Sequence, residues 1–338
     1  MSLHRAGRGS GFAVLALVAA LLGSCGKTPE PATRPQVINF SILSAEDAQS
    51  MGSVWNPLLD DLRKQTGLTI KPFFASNYTA LVQAMRFNQV QVGWFSALPS
   101  LEAVNRADAQ VLGRIISGDG SQSYNSVLIV RKGSGITLDK VLACGKRYDF
   151  GIGDAKSTSG TLAPNYYLFA PKGIEPADCF RNVRSASHQA NLGAVANGVL
   201  DVATNNTEGL LFAARQRQGT VDKVQVIWTS PPLPESAILA RRDLDPATTE
   251  KLRHFFLTYG TAPGPEGDRQ RKVLEQLTYK GFSPADDSYL DPVRLMVASD
   301  DLSRAKRSGD PAKLAEAQKA FDQVKALIAS RPKPAAGA

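Results

Sequence analysis

Three hydroxyl residues in a row, Ser157-Thr158-Ser159, stand directly before Gly160 and a helical apolar pattern that begins at Thr161. A helix start offers unpaired backbone N–H groups and a partial positive charge. Serine and threonine add neutral donors, and Gly160 allows close backbone approach, so the stretch suits a tetrahedral oxyanion. Simple N-capping, which needs only one such residue, is the plainer alternative. The stretch is not a P-loop, because the chain contains no G-x-x-x-x-G-K-[ST]. His188 stands at another predicted helix start, where it pairs with an anion when charged, donates one bond when neutral, or merely caps. Tyr78 and Tyr124 offer phenolic hydroxyls, although half-buried packing is their ordinary role. Glu208 would repel a bare anion. It suits a ligand ammonium group, a pairing with His188, or the first turn of its own helix. Ser157 or Ser159 with His188 would also resemble a nucleophile and its base, yet no G-x-S-x-G turn is present and no acid is placed to orient the imidazole. Detectable turnover of an ester would be the mark of such a hydrolase. The three histidines, His4, His188 and His254, lie far apart, and no Cys/His pair has ligand spacing, so neither a metal nor another cofactor is expected.

These residues fall in loops between alternating elements. Strands are predicted over residues 37–43, 69–75, 90–96, 111–116, 127–131, 149–153, 183–186, 201–204, 224–228 and 237–241. Helices are predicted over 45–66, 79–87, 99–106, 161–169, 188–197, 208–217 and 246–259, with further helices to about 330. Alternation of this kind means an α/β fold with a mostly parallel sheet. Ligands on such sheets sit beyond the strands' C-terminal ends, which directs attention to the loops after residues 75, 153, 186 and 204. Each carries hydrogen-bonding residues.

The N-terminus has His4, Arg5 and Arg8, then an apolar run over 12–22, then Gly23-Ser24-Cys25. This is the layout of a secretory signal peptide, 1–24, and the run is too short to span a bilayer comfortably. Residues 22–26 resemble the bacterial lipobox, in which Cys25 would be acylated and become the first residue. An ordinary signal peptide with a chance cysteine is the alternative. The proline-rich stretch 25–36 reads as a tether. Lysine and arginine number 39 and aspartate and glutamate 31, an excess of +8 that falls to +6 once Arg5 and Arg8 leave with the signal. The excess is spread without a long basic run, which argues against nucleic acid and mildly favours approach of a small anion. About 310 residues remain, enough for two packed domains. Of the three cysteines, Cys144 and Cys179 are left once Cys25 is set aside; in an exported protein such a pair suggests a disulfide, with two separate buried thiols as the alternative.

Several segments together resemble the periplasmic phosphonate-binding proteins of ABC importers. They are Asn77-Tyr78-Thr79-Ala80-Leu81 with Met85-Arg86-Phe87-Asn88, Val92-Gly93-Trp94-Phe95, and Tyr124-Asn125-Ser126-Val127. Gly153-Asp154 through Ser157-Thr158-Ser159-Gly160, then Pro164-Asn165-Tyr166-Tyr167, is the most specific. Ser187-His188-Gln189-Ala190-Asn191 and the run from Asp201 to Glu208 follow in family order. The resemblance covers about 37–259. It implies a type II periplasmic-binding fold: two α/β lobes with a central ligand cleft and C-terminal helices. Lobe 1 would hold 37–124 plus 237–310, lobe 2 would hold 125–236, and 311–338 a C-terminal helix and tail. It implies a non-enzymatic binding protein on the periplasmic side, held by its lipid anchor and working with an ABC permease and ATPase. Feeding a sensor kinase or chemoreceptor, or a purely structural envelope role, are the rivals. Ser157, Thr158 and Ser159 would grip phosphonate oxygens, with His188, Tyr78 and Tyr124 completing the shell and Glu208 contacting a ligand amino group. The family's second acid lies in Pro-Gly-Asp-Pro; here the segment reads Pro234-Glu235-Ser236-Ala237, with Ser236 in its place. The loss implies weaker ammonium recognition, leaving alkylphosphonate, phosphite or phosphate as ligands. Glu235 is expected on the opposite strand face, reaching the site only through a bulge.

Overall fold

The structure is a computed structural model and describes residues 37–216 and 219–331. The leader, Cys25, the proline tether and the tail from residue 332 lie outside the described residues. The chain runs β1 (Val37–Ile42), α1 (Ala48–Thr66), β2 (Thr69–Phe74), α2 (Tyr78–Arg86), β3 (Val92–Phe95), α3 (Ala97–Arg106), β4 (Ala109–Ser117), β5 (Ser123–Tyr124) and β6 (Ser126–Arg131). It continues through α4 (Leu138–Leu142), β7 (Asp149–Ile152), two π-helical turns (Thr158–Leu162 and Asn165–Phe169), α5 (Pro176–Cys179), β8 (Asn182–Ser185), α6 (His188–Ala196), β9 (Val202–Asn206) and α7 (Thr207–Arg215). Then come β10 (Val224–Thr229), β11 (Leu233–Pro234), β12 (Ala237–Arg241), α8 (Pro246–Thr258), α9 (Pro265–Gln276), β13 (Tyr279–Ser283), α10 (Asp291–Ser308) and α11 (Pro311–Ser330).

Local chemistry sets many of these boundaries. Asp47 caps α1 by accepting the Ser50 N–H, and Gly67 ends it in the left-handed conformation at φ 71°. The stripe Val54, Trp55, Leu58, Leu59 and Leu62 is buried, as its helical spacing requires. Asn77, Ser187 and Asn206 cap α2, α6 and α7 in the same way.

The strands form a six-stranded sheet in the order β13-β4-β12-β3-β1-β2 and a five-stranded sheet in the order β10-β6-β9-β7-β8. The expected mostly parallel pattern does not hold. β12 runs antiparallel between β3 and β4, and β6 antiparallel between β10 and β9. The parallel strands β1, β2 and β3, and likewise β7, β8 and β9, start at the far edge and run toward the cleft. β6 and β12 arrive directly from the other sheet, start at the cleft edge and run away from it. A second difference is β13, in a stretch expected to be helical; it pairs antiparallel with β4 and is broken by a register shift beside Gly281. Five residues with a glycine inside carry too little periodicity to be seen.

One apolar cluster fills the first sheet and its helices, and two lie on either face of the second. A fourth joins α3 and α10 to Leu162, Ala163 and Tyr124, so the two sheets' layers share apolar contacts. Cys144 and Cys179, 35 residues apart, are joined by a disulfide that ties the end of α4 to α5. Closing a loop of that length is worth about 3–4 kcal/mol in the chain-entropy treatment. Reduction is therefore expected to lower the melting temperature by several degrees in calorimetry, and an unchanged melting temperature would show that the cross-link carries no stability.

Candidate functional site

The cleft lies at the C-terminal ends of the crossover strands and holds about 690 Å³ of space free of protein atoms. The wall that carries Ser157 and Ser159 is built on a contact between two glycines. A Cβ on Gly153 would stand 2.5 Å from the Gly160 Cα, and one on Gly160 would stand 2.8 Å from the Gly153 Cα. Only glycine lets the loop after β7 fold back this closely, and the Gly153 N–H donates to the Gly160 carbonyl at 2.9 Å. Thr204 Oγ1 donates to that carbonyl at 2.8 Å, and Ser126 Oγ donates to the Ser159 carbonyl at 2.6 Å. The loop is thereby fastened to two strands.

The helix expected from Thr161 starts earlier, at Thr158, and is wound as a π turn: the Leu162 N–H donates to the Ser157 carbonyl at 3.1 Å. Such turns are rare and concentrate at functional sites. Ser157 Oγ accepts the Gly160 N–H at 2.9 Å. Among the described residues the N–H groups of Thr158 and Ser159 have no partner. They are the orphan donors of a helix start, with the positive end of its dipole behind them.

Around them stand neutral side chains. His188 Nε2 lies 3.4 Å from Ser157 Oγ and 3.3 Å from Ser159 Oγ, and Asn206 Nδ2 donates to Ser159 Oγ at 3.1 Å. Burial lowers the His188 pKa to about 4, so the imidazole is uncharged at neutral pH. Tyr78 and Tyr124 are buried, and burial first of all pushes both phenols up. They stay protonated and able to donate.

Thr158 departs from expectation. Its side chain is not on the cleft wall; Oγ1 accepts the Leu98 N–H at 2.8 Å. Ser96, the residue before α3, makes no side-chain cap of its own, and Thr158 supplies that cap from across the cleft. What Thr158 can offer a ligand is its backbone N–H.

The opposite end of the cleft is acidic. Glu208, in the first turn of α7, accepts the Thr278 hydroxyl at 3.2 Å. Thr278 is a buried β-branched residue in the left-handed conformation at φ 65°, a strain of about 1–3 kcal/mol, and its hydroxyl also meets the Leu277 carbonyl at 2.5 Å. Glu235 lines the cleft as well as Ser236, contrary to the expectation that it faces away. Both residues lie in the corner between β11 and β12 rather than within a strand, so strict alternation does not apply. The Glu235 carboxylate accepts the Ser117 hydroxyl at 3.0 Å and the Ser236 N–H at 2.8 Å. Burial, and then the neighbouring Glu208, raises its pKa to about 7; burial raises Glu208 too. A third carboxyl on the wall, Glu46, was not singled out from the sequence. Trp94, part of the first sheet's apolar cluster, also reaches the wall and lies against Trp55 with ring centroids 5.4 Å apart. Among the described residues no lysine or arginine lines the cleft.

The two walls touch. Asp47 N–H donates to Gln189 Oε1 at 2.9 Å, and Gln189 Nε2 donates back to Asp47 Oδ2 at 3.0 Å. Lys156 pairs with Glu102, and the Tyr78 N–H donates to Asp154 Oδ2 at 3.3 Å.

Fold and cleft together define a two-walled α/β binding protein. Residues 40–290 match the family described as ABC transporter, phosphonate, periplasmic substrate-binding protein, and the chain belongs to it. It is 39% identical over 272 residues to the phosphonates-binding periplasmic protein of Escherichia coli K12, covering 80% of this chain and 79% of that one. A binding protein component of an ABC phosphonate transporter from Pseudomonas aeruginosa superposes with a TM-score of 0.82 at 34% identity, covering 88% of this chain and 99% of that one. PhnD1 of Prochlorococcus marinus, solved with methylphosphonate, shares the fold with a TM-score of 0.70 at 20% identity over 79% of this chain and 98% of that one. The chain is thus a periplasmic substrate-binding component of an ABC importer that takes phosphonates or related phosphorus oxyanions, and not an enzyme. The hydrolase alternative for Ser157 or Ser159 with His188 is set aside.

The glycine contact is testable. Gly153→Ala would press a methyl group into the Gly160 backbone and is expected to weaken ligand binding at least about tenfold, the equivalent of roughly 1.4 kcal/mol. Calorimetric titration with a phosphonate reads this directly; undiminished affinity would mean that the loop after β7 does not form the ligand wall.

Proposed function

We propose that this protein captures an aminoalkylphosphonate, holding its phosphonate group on the π turn and its ammonium group between Glu208 and Glu235. The observation that carries this reading is that two neighbouring carboxyls, Glu208 and Glu235, line the same cavity as a set of neutral and helix-end donors. The N–H groups of Thr158 and Ser159, the hydroxyls of Ser157, Ser159, Tyr78 and Tyr124, and His188 are the phosphonate's donors in this reading. Hydrogen bonds to a charged group contribute roughly 1.5–3 kcal/mol each, so several convergent donors can replace a cation. Glu235 supplies, from one residue earlier, the second carboxylate that Ser236 lacks; Ser236 itself lies at the rim of that pocket. Two raised carboxyls side by side are a poor arrangement until an ammonium arrives, and its charge would draw both into the ionised state.

The transport role follows from the two sheets. Residues 37–124 plus 237–310 and residues 125–236 act as the two lobes, hinged where β4–β5–β6 and β10–β11–β12 cross. The Asp47–Gln189 pair and the Thr158 cap to Leu98 form as they close, and the closed form is what the ABC permease and its ATPase receive. Acylation of Cys25, with the proline-rich stretch as tether, would keep the protein at the membrane.

A thermal-shift panel of 2-aminoethylphosphonate, methylphosphonate, phosphite, phosphate and sulfate tests the ligand. Ligand at 100 times its dissociation constant adds about 2.7 kcal/mol of stability, and 2-aminoethylphosphonate is expected to stabilise at the lowest concentration. Preference for methylphosphonate over the amino compound would sink the ammonium assignment. Glu235→Gln should cost the amino ligand about 10- to 100-fold, corresponding to a charged hydrogen bond, and leave methylphosphonate nearly unchanged. Ser157→Ala with Ser159→Ala should weaken both ligands alike.

A further inference from the structure

Glu46 has no part in that reading, yet it is the one carboxyl of the cleft wall with a buried oxygen lacking a hydrogen-bond partner among the described residues. It lies in the turn between β1 and α1, lines the cavity, and its Oε2 is buried without a hydrogen-bond partner among the described residues. Leaving such an acceptor unmade costs about 1–3 kcal/mol, which is tolerated where a ligand completes the bond. Its place is at the oxyanion end. Glu46 and the Ser157 hydroxyl both lie close enough to the Tyr78 phenol to alter its protonation. Asp47, the next residue, exchanges two hydrogen bonds with Gln189, which follows His188. Glu46 and His188 therefore flank one cross-cleft pair, and His188 Nδ1 is likewise buried without a partner. Glu208 and Glu235 gather instead around Thr278 and Ser117.

The titratable groups next to Glu46 are Asp47 in its own turn and Tyr78 from α2; His188 from α6 lines the same cavity, and Asp154, from the turn after β7, accepts the Tyr78 N–H. None is a cation at neutral pH, and Lys156, in the turn that leads to Ser157, is engaged by Glu102. An ionised Glu46 beside a doubly charged phosphoryl group would set like charges together in a buried space with nothing to offset them.

We propose that Glu46 binds the phosphoryl group as a carboxylic acid, so that the complex keeps one proton between a Glu46 oxygen and a phosphoryl oxygen. This rests on the phosphorus-oxyanion reading of the cleft. The proton balance is simple. A protonated Glu46 donates its O–H to the dianion, or an ionised Glu46 accepts the P–O–H of the monoanion; each route gives the same complex with one proton. Burial, and then Asp47, raises Glu46 to about 8, so at neutral pH the free protein already holds that proton. Above that pH the free protein loses it, the ligand is a dianion, and binding must take a proton from solution. Affinity then falls about tenfold per pH unit. Glu235 titrates lower, near 7, and His188 lower still.

The test uses methylphosphonate, which has no ammonium group, with the wild-type protein and Glu46→Gln titrated calorimetrically between about pH 6.5 and 9.5. Wild-type affinity is expected to drop on the alkaline side. Glu46→Gln, whose amide is a permanent neutral donor that does not titrate, should lose the alkaline drop. Titrations at about pH 9 in buffers of different ionisation enthalpy should show one proton taken up per ligand by wild type and none by the variant; this arm also stands on wild type alone. Parallel pH profiles, or no proton uptake by wild type, overturn the proposal. So does a Glu46→Gln variant that loses only 2-aminoethylphosphonate, which would assign Glu46 to the ammonium end. Failure of wild type to bind methylphosphonate at any pH would instead bring down the oxyanion reading.

Discussion

An anion can leave water without a cation beside it only if enough neutral donors converge on it, and here that convergence depends on one backbone contact, Gly153 against Gly160. The contact folds the loop after β7 onto itself and starts a π turn at Thr158. A wide turn leaves consecutive N–H groups free at its entrance. Thr204 and Ser126 then hold the two carbonyls of that loop, so the donors are fixed before any ligand is present. Donors arranged in advance need no reordering when the ligand enters, which is where much of the cost of binding otherwise lies.

Burial decides the charges around this wall. His188, which a sequence reader would credit with a positive charge in an anion site, is neutral because it is enclosed. Glu46, Glu208 and Glu235 are shifted toward their protonated forms by the same desolvation. Among the described residues three carboxyls and no lysine or arginine line the cleft, and burial shifts each carboxyl toward its uncharged form. The cleft's charge state responds to what enters: an ammonium draws carboxyls to ionise, and an oxyanion favours a proton kept nearby. The basic excess of the chain lies elsewhere on the molecule, where it assists approach rather than binding.

The contacts between the walls are tied to the binding residues themselves. Thr158 gives its N–H to the cleft and its hydroxyl to Leu98 of α3. Gln189, which meets Asp47, follows His188 directly. Beneath them α3 and α10 bury Leu162 and Ala163 of the π turn and its exit. The residues that line the cleft and those that join its two walls are thus neighbours on the same turns.

The alternation of strands and helices, the hydrogen-bonding loops after residues 75, 153, 186 and 204, and the hydroxyl run 157–159 were legible in the sequence because each is written within a few neighbouring residues. Capping, hydrophobic periodicity and turn glycines act locally, so fold class and the loops facing the cleft follow from the chain alone. Tertiary structure decided the rest. β6 and β12 run against their neighbours because they enter from another sheet, which no local pattern records. Glu235 faces the cleft because a corner, not a strand, carries it past Ser117, more than a hundred residues away. Thr158 turns its hydroxyl aside because α3 lacks a cap of its own. Glu46 looks like any helix-preceding acid until its surroundings show it buried and unpartnered. Residue type and spacing determined which groups could bind an oxyanion; the environment that sets their protonation is made of residues distant along the chain, and only folding assembles it.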